Sequence, residues 1–178
     1  MVNHKITLKK FTELDFDRLI AWVKKEEELI QFAGTIFKFP LTKGQLYHYL
    51  TDTKRHAFKV VDDETNQIIG HCEAYEVDDQ KCRLCRILIG DEDFRGKGYG
   101  TVLVRQLTHW SFETLNVKSI ELNVYDFNIP AIKCYEKIGF KKAEINTGQT
   151  RIKNESWTSY SMTICRDSFT NKTELQRS

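Results

Sequence analysis

Three glycines at alternate positions, Gly96, Gly98 and Gly100, stand between an apolar run and a helix-periodic segment. That junction limits what the chain can fold into more than any other stretch. Upstream, Ile87, Leu88 and Ile89 have β-branched character and read as the end of a buried strand. Downstream, Thr101 to Leu115 repeats apolar residues at helical spacing. Strand, glycine-rich loop and helix in that order leave bare backbone N–H groups at a helix N-terminus. Its partial positive charge and unsatisfied donors suit a phosphate. A nucleotide-hydrolase loop would need Gly-Lys-Ser/Thr, so that a hydroxyl reaches magnesium, but Gly98 and Tyr99 follow Lys97. The dinucleotide fingerprint Gly-x-Gly-x-x-Gly fails as well, because Gly96 to Gly100 is spaced one residue too tightly.

The rest of the composition narrows the partners. At 178 residues the chain suits one domain, expected over 1–165 with a polar, frayed tail over 166–178. A net charge of +2, with bases and acids interleaved, argues against nucleic acid. No apolar run approaches the roughly 18–20 residues of a membrane span, so no membrane partner is expected. The segment Met1 to Lys5 has no apolar signal region, which makes a cytoplasmic location the expectation. Five scattered cysteines fit reduced thiols better than a disulfide framework. Cys82-x-x-Cys85 lies in a strand-like run without a second pair or spaced histidine, so no metal is expected.

Along the chain, Ile6 and Leu8 open a strand, and Thr12 or Asp15 caps a helix with Phe16, Leu19, Ile20 and Val23 on one face. The acidic triplet Glu26 to Glu28 reads as a solvated helix face, followed by an aromatic-rich connection through Phe32, Phe37, Phe39 and Pro40. Thr42 caps a second helix to about Leu50. Three strands then form a meander: around Phe58 to Val61, Gln67 to Val77, and Lys81 to Ile89. After the long helix come a strand over Ser119 to Tyr125 and a compact helix capped by Asn128, ending at Gly139. A final hairpin is expected over Phe140 to Ile145 and Trp157 to Ile164.

Two signatures in order, Arg95-Gly96-Lys97-Gly98-Tyr99-Gly100 and Asn128-x-x-Ala131-Ile132-x-x-Tyr135-x-x-x-Gly139-Phe140, resemble the GNAT superfamily of acetyl-CoA-dependent N-acetyltransferases. Ile69-Gly70-His71 and Trp157-x-x-Tyr160-Ser161-Met162 look like its branch named for acetylation of ribosomal-protein N-termini. The resemblance implies a mixed α/β domain around a central, mostly antiparallel twisted sheet flanked by helices. It implies transfer of an acetyl group from acetyl-CoA to a primary amine, a small molecule or a protein N-terminus, by direct attack in a ternary complex. A non-catalytic domain sensing CoA or acyl-CoA is the alternative. A homodimer is the family-based expectation.

Residue by residue, the resemblance implies that backbone groups of Leu88, Ile89 and Gly90 pair with the pantetheine arm like an added strand. A backbone N–H there would face the thioester oxygen. The amides of Arg95, Gly96, Lys97, Gly98, Tyr99, Gly100 and Thr101 would hold the pyrophosphate, and Asn128 would contact pantetheine as well as cap its helix. Tyr135 occupies the family's position for the acid that protonates the leaving thiolate. An amine with a pKa near ~10 must lose a proton before it attacks. Glu73, drawing the proton through a water, is the expected base, with His71 as the alternative. Arg86 is expected only as an ion-pair partner.

Overall fold

The computed structural model describes residues 4–152 and 155–169. Strand β1 (Ile6–Lys10) runs antiparallel to β2 (Arg55–Asp62), with Ile6 opposite Asp62 and Lys10 opposite Phe58. The meander continues through β3 (Ile68–Glu76) and β4 (Lys81–Ile89), both antiparallel to their predecessors. Its first turn is closed by Asp62, whose carboxylate accepts from the Thr65 amide at 2.9 Å and hydroxyl at 2.7 Å. Strand β5 (Ser119–Tyr125) joins β4 in parallel. The last hairpin, β6 (Lys141–Ile152) and β7 (Glu155–Cys165), completes a seven-stranded sheet in the order β1-β2-β3-β4-β5-β7-β6. A single parallel pair in an antiparallel sheet needs a crossover, and the long helix supplies it.

Helices lie on both faces because β3 divides its side chains between two cores. Cys72 and Ala74 join one core with Leu103, Leu107 and Phe112 of the crossover helix and Ile132 and Ile138 of the last helix. Beneath the other face, Phe16, Leu19, Leu29, Phe37 and Leu46 form a second core. Three helices build it: α1 (Phe16–Trp22), α2 (Glu26–Ala33) and α3 (Lys43–Leu50). The crossover is α4 (Tyr99–Leu115), and α5 (Ile129–Ile138) lies beside it. No helix among the described residues is long and apolar enough to cross a membrane.

Two local expectations need correction. The segment taken as an acidic face and connection contains a helix of its own, α2. The triplet Glu26, Glu27 and Glu28 forms its first turn, where negative charge meets the positive end of the helix dipole. Leu29 and Ala33, one turn apart, are its buried contacts. The end of the domain is also more ordered than a frayed tail from Arg166. Arg166 donates to the carbonyls of Phe112 and Val117 at the end of α4, and Phe169 packs on Phe112 with ring centroids 5.6 Å apart. The rest of the expected tail lies outside the described residues.

Candidate active site

Strands β4 and β5 pair only from Lys81 opposite Ser119 to Leu84 opposite Leu122. Beyond that point they separate, and the cause lies in β4. Between the pairs His71–Leu88 and Glu73–Cys85, Cys72 alone faces two residues, Arg86 and Ile87. Arg86 takes a left-handed φ of 49°. One extra residue bends the bulged strand, and here it bends away from β5.

The splay opens a cavity of about 560 Å³ between Cys85 and Arg86 on one side and Asn123 to Tyr125 on the other. The end of α2 and residues 34–36 cover it, and Thr150 and Ser159 of the last hairpin flank it. A second cavity of about 60 Å³ shares Gln31, Phe32, Leu84, Cys85, Arg86 and Asn123 with the first. It reaches Ile87 and the ring of Tyr135 on α5. The two together form a passage through the sheet.

Glu73 and His71, two residues apart on β3, share one face of the sheet, and that face is roofed by the α1–α3 layer. Glu73 is fully buried, and its carboxylate accepts four hydrogen bonds: two from Arg86, one from the Tyr49 hydroxyl and one from Arg55 at 2.6 Å. Burial alone would raise its pKa. Arg86, the Tyr49 hydroxyl and Arg55 outweigh that and hold it below the ordinary carboxylate range. An ionised carboxylate with its lone pairs occupied is a weak proton acceptor. His71 is equally enclosed, edge-on to Phe11 at 4.5 Å, and burial drives its pKa down to about 3. Its Nε2 lies 3.3 Å from the Tyr49 hydroxyl, while Nδ1 has no partner among the described residues. Neither residue lines either cavity.

On the glycine loop, Gly96 and Gly98 have φ of 71° and 94°, which side-chain-bearing residues rarely adopt. The amides of Arg95 and Thr101 bond within the loop, to Glu92 O at 3.2 Å and Gly98 O at 3.0 Å. Those from Gly96 to Gly100 take no acceptor among the described residues, so five of the seven expected donors are free at the start of α4. Tyr99 anchors the loop from below. It is buried, stacks on His4 at 3.9 Å and donates to Asp62 at 3.1 Å. The Arg95 side chain braces the loop against the strand, donating to Ile89 O at 2.9 Å and Gly90 O at 3.0 Å.

The end of β4 presents fewer groups than expected. The Gly90 amide donates to Ile69 O at 2.9 Å, and the alternation of an antiparallel ladder turns Leu88 toward β3 as well. The Ile89 amide is the one turned toward the splay. Gly90 has a separate duty: a Cβ there would collide with the indole of Trp22, so only glycine lets α1 close over the strand end.

Asn128 caps α5, its Oδ1 accepting from the Ala131 amide at 3.3 Å. Seven residues on, about two turns, Tyr135 projects into the smaller cavity with 8% exposure. Burial, then Cys134 and Cys85, push its hydroxyl pKa well above the usual value, so it stays protonated and able to donate. Cys85, at the narrow point, is likewise raised by burial, to about 11. It is three residues from Cys82, so the two thiols point to opposite faces of β4.

Sequence reasoning missed Tyr49 and Arg55, which hold Glu73 across 24 and 18 residues. It also missed Gln31, Phe32, Asn123 and Tyr125 as cavity walls. No short-range spacing marks such partners. Conversely, Ile69, Gly70, His71, Trp157, Tyr160, Ser161 and Met162, which carried the likeness to the ribosomal-protein branch, line neither cavity.

Residues 5–141 match the family model described as an acetyltransferase (GNAT) domain. Among curated proteins, the chain is 26% identical over 106 residues to the uncharacterized N-acetyltransferase YokL of the SPbeta prophage in Bacillus subtilis (strain 168). That match covers 58% of this chain and 60% of the relative, so the chain spans less than two thirds of that protein. It is also 26% identical over 153 residues to an aminoglycoside N(6')-acetyltransferase type 1 of Klebsiella pneumoniae, covering 79% of this chain and 76% of the relative. Among solved structures, spermidine N-acetyltransferase from Vibrio cholerae in complex with CoA and spermine superposes with a TM-score of 0.80 at 21% identity. The superposition covers 93% of this chain and 98% of that one, a likeness of fold.

Proposed function

The chain belongs to the GNAT acetyltransferase family, and from that footing we propose that it transfers an acetyl group from acetyl-CoA to an amine held in the larger cavity. The passage through the sheet carries this reading. It sets a cavity large enough for a small molecule beside a buried, protonated tyrosine, and the N-terminus of α4 adds five free amides. The amides of Gly96 to Gly100 hold the pyrophosphate, with Arg95 and Thr101 shaping the loop around them. The Ile89 amide meets the pantetheine arm and the negative charge that develops on the thioester oxygen. Asn128 fixes the start of α5, and thereby the depth at which Tyr135 sits.

The amine nitrogen attacks the carbonyl carbon, a C–N bond forms, the C–S bond breaks, and Tyr135 donates its proton to the departing sulfur. The amine proton leaves to water in the cavity, since neither Glu73 nor His71 lines it, and water returns a proton to the Tyr135 oxygen. We therefore give Glu73 a positioning role: it holds Arg86 and Arg55 in the cavity wall. Direct attack is favoured over an acyl-enzyme, because the neutral thiol of Cys85 predominates near neutral pH.

The test is release of free CoA from acetyl-CoA on a panel of polyamines, aminoglycosides, amino acids and peptide N-termini. Turnover with any of them supports the enzyme. Tight CoA binding without release on any of them supports the sensor instead. We keep the homodimer as a proposal, and a monomer by sedimentation equilibrium would remove it.

A further inference from the structure

The larger cavity is lined by Arg55, Arg83 and Arg86, and no carboxylate lines it among the described residues. The counter-charges stand behind the wall and are shared. Glu73 serves both Arg55 and Arg86, and Asp52 adds a second contact to Arg55 at 3.1 Å. Glu121 serves both Arg83, at 2.7 Å from its Nε and 2.5 Å from Nη2, and Lys81, at 3.6 Å. The three wall arginines are thus matched by three carboxylates that do not face the cavity, and Arg83 is the least neutralised, because Lys81, outside the lining, shares its Glu121. Arg55 adds a separate sign of unmet bonding. Its side chain is 7% exposed, its guanidinium lies over the rings of Tyr49 and Tyr75, and its buried Nε has no partner among the described residues.

Such a wall repels a polycation. A second or third ammonium group on the acceptor would enter a site with guanidiniums facing it and no acidic side chain to receive it. A carboxylate on the acceptor meets the opposite situation. It can take the outer Nη1/Nη2 edge of Arg83, whose Nε side is held by Glu121 and whose side chain is 42% exposed, while its amine points down the passage toward Tyr135. The volume fits a small molecule, and Tyr125, stacked on Phe127 at 5.5 Å with planes 1° apart, gives a flat apolar flank for its body. Phe127 and Trp157 approach at 4.7 Å, too close to cage an ammonium group between them.

We propose that the acceptor is an amine that also carries a carboxylate, of the amino-acid class, and not a polyamine. The proposal rests on the acetyl-transfer reading of the same cavity. It is tested with matched pairs, L-phenylalanine against L-phenylalaninamide and β-alanine against β-alaninamide, with spermidine as the polycation. Rates are compared at equal concentrations of neutral amine, because amidation lowers the amine pKa. The carboxylate member of at least one pair should have kcat/KM about tenfold or more above its amide, with spermidine below both. Arg83→Gln should shrink that ratio by about tenfold. Equal or better use of the amides or spermidine overturns the proposal, as does a ratio that Arg83→Gln leaves unchanged. Should no amine be turned over, acetyl transfer falls. Calorimetry of the same pairs on the CoA-loaded protein then decides the charge preference separately: tighter binding of a carboxylate member upholds it, and equal, weaker or undetectable binding overturns it.

Discussion

The smallest change that separates chemistry from folding is the loss of one oxygen at Tyr135. General-acid assistance typically contributes about 10²–10⁴-fold, and thiols are already fair leaving groups, so Tyr135→Phe should lower turnover by about tenfold or more. Acetyl-CoA affinity should stay within a few-fold, and a wild-type rate with chemistry limiting would return Tyr135 to the core. Glu73→Gln tests a different idea. Leaving two buried guanidiniums around a neutral amide should cost about 3–5 kcal/mol in urea unfolding. A folded variant of full stability whose activity recovers at high pH would restore Glu73 as the base. His71 predicts a pH effect on stability. Burial lowers its folded pKa to about 3, among Tyr49, Glu73, Arg86, Asp15 and Arg55, so between pH 6.5 and 3 the unfolded chain binds a proton that the folded one refuses. Stability should therefore fall with pH in that window, by up to about 1.4 kcal/mol per unit from this group. His71→Gln should remove that slope between pH 6.5 and 5, and an unchanged slope would assign it elsewhere. The placing of Asn128 as a cap and of Tyr135 two turns on was legible because one short helix fixes their spacing. Tyr49 and Arg55 were not, because their meeting with Glu73 is made by sheet pairing and helix docking that no local pattern encodes.

At the scale of elements, the glycine loop could be read because left-handed backbone and close approach leave glycine itself as the trace. Gly98→Val forces a branched side chain to φ of 94°, which should cost about 1–2 kcal/mol in stability. The open space beside Gly98 is where the pyrophosphate would approach, so acetyl-CoA should bind the variant at least tenfold more weakly. Arg95→Ala should do less, since it removes a brace to Ile89 and Gly90 and leaves the free amides in place. Calorimetry on both variants checks the order, and full affinity in a folded Gly98→Val would move the site off this loop. Helix α2 escaped the sequence reading for a physical reason. It has eight residues, two of them buried, and its acidic first turn resembles any solvated run. The bulge at Arg86 escaped too, because a left-handed arginine has no mark that distinguishes it from an ordinary strand residue.

The whole molecule was the most legible level. The antiparallel meander, the crossover helix and the closing hairpin each announce themselves by period and turn chemistry, and few topologies accommodate them in that order. The distances across the passage depend on how two helical layers settle on one sheet, which periodicity does not specify. Binding should be felt globally. A ligand at about 100 times its Kd adds about 2.7 kcal/mol, so CoA should raise the Tm by roughly 5–10 °C. No shift at saturation would mean that CoA does not bind this fold. The early parting of β4 and β5 has a last consequence. A sheet of seven strands ordinarily has two borders, whereas past Leu84 and Leu122 this one has four, two of them in its middle. Unpaired interior borders are templates for a foreign strand, and a pantetheine arm laid along one of them would act as a removable eighth strand. Deuterium uptake at Ile89 and Asn123 should be rapid without CoA and slow with it, and a pool of protein starved of CoA should be the more prone to stick to itself.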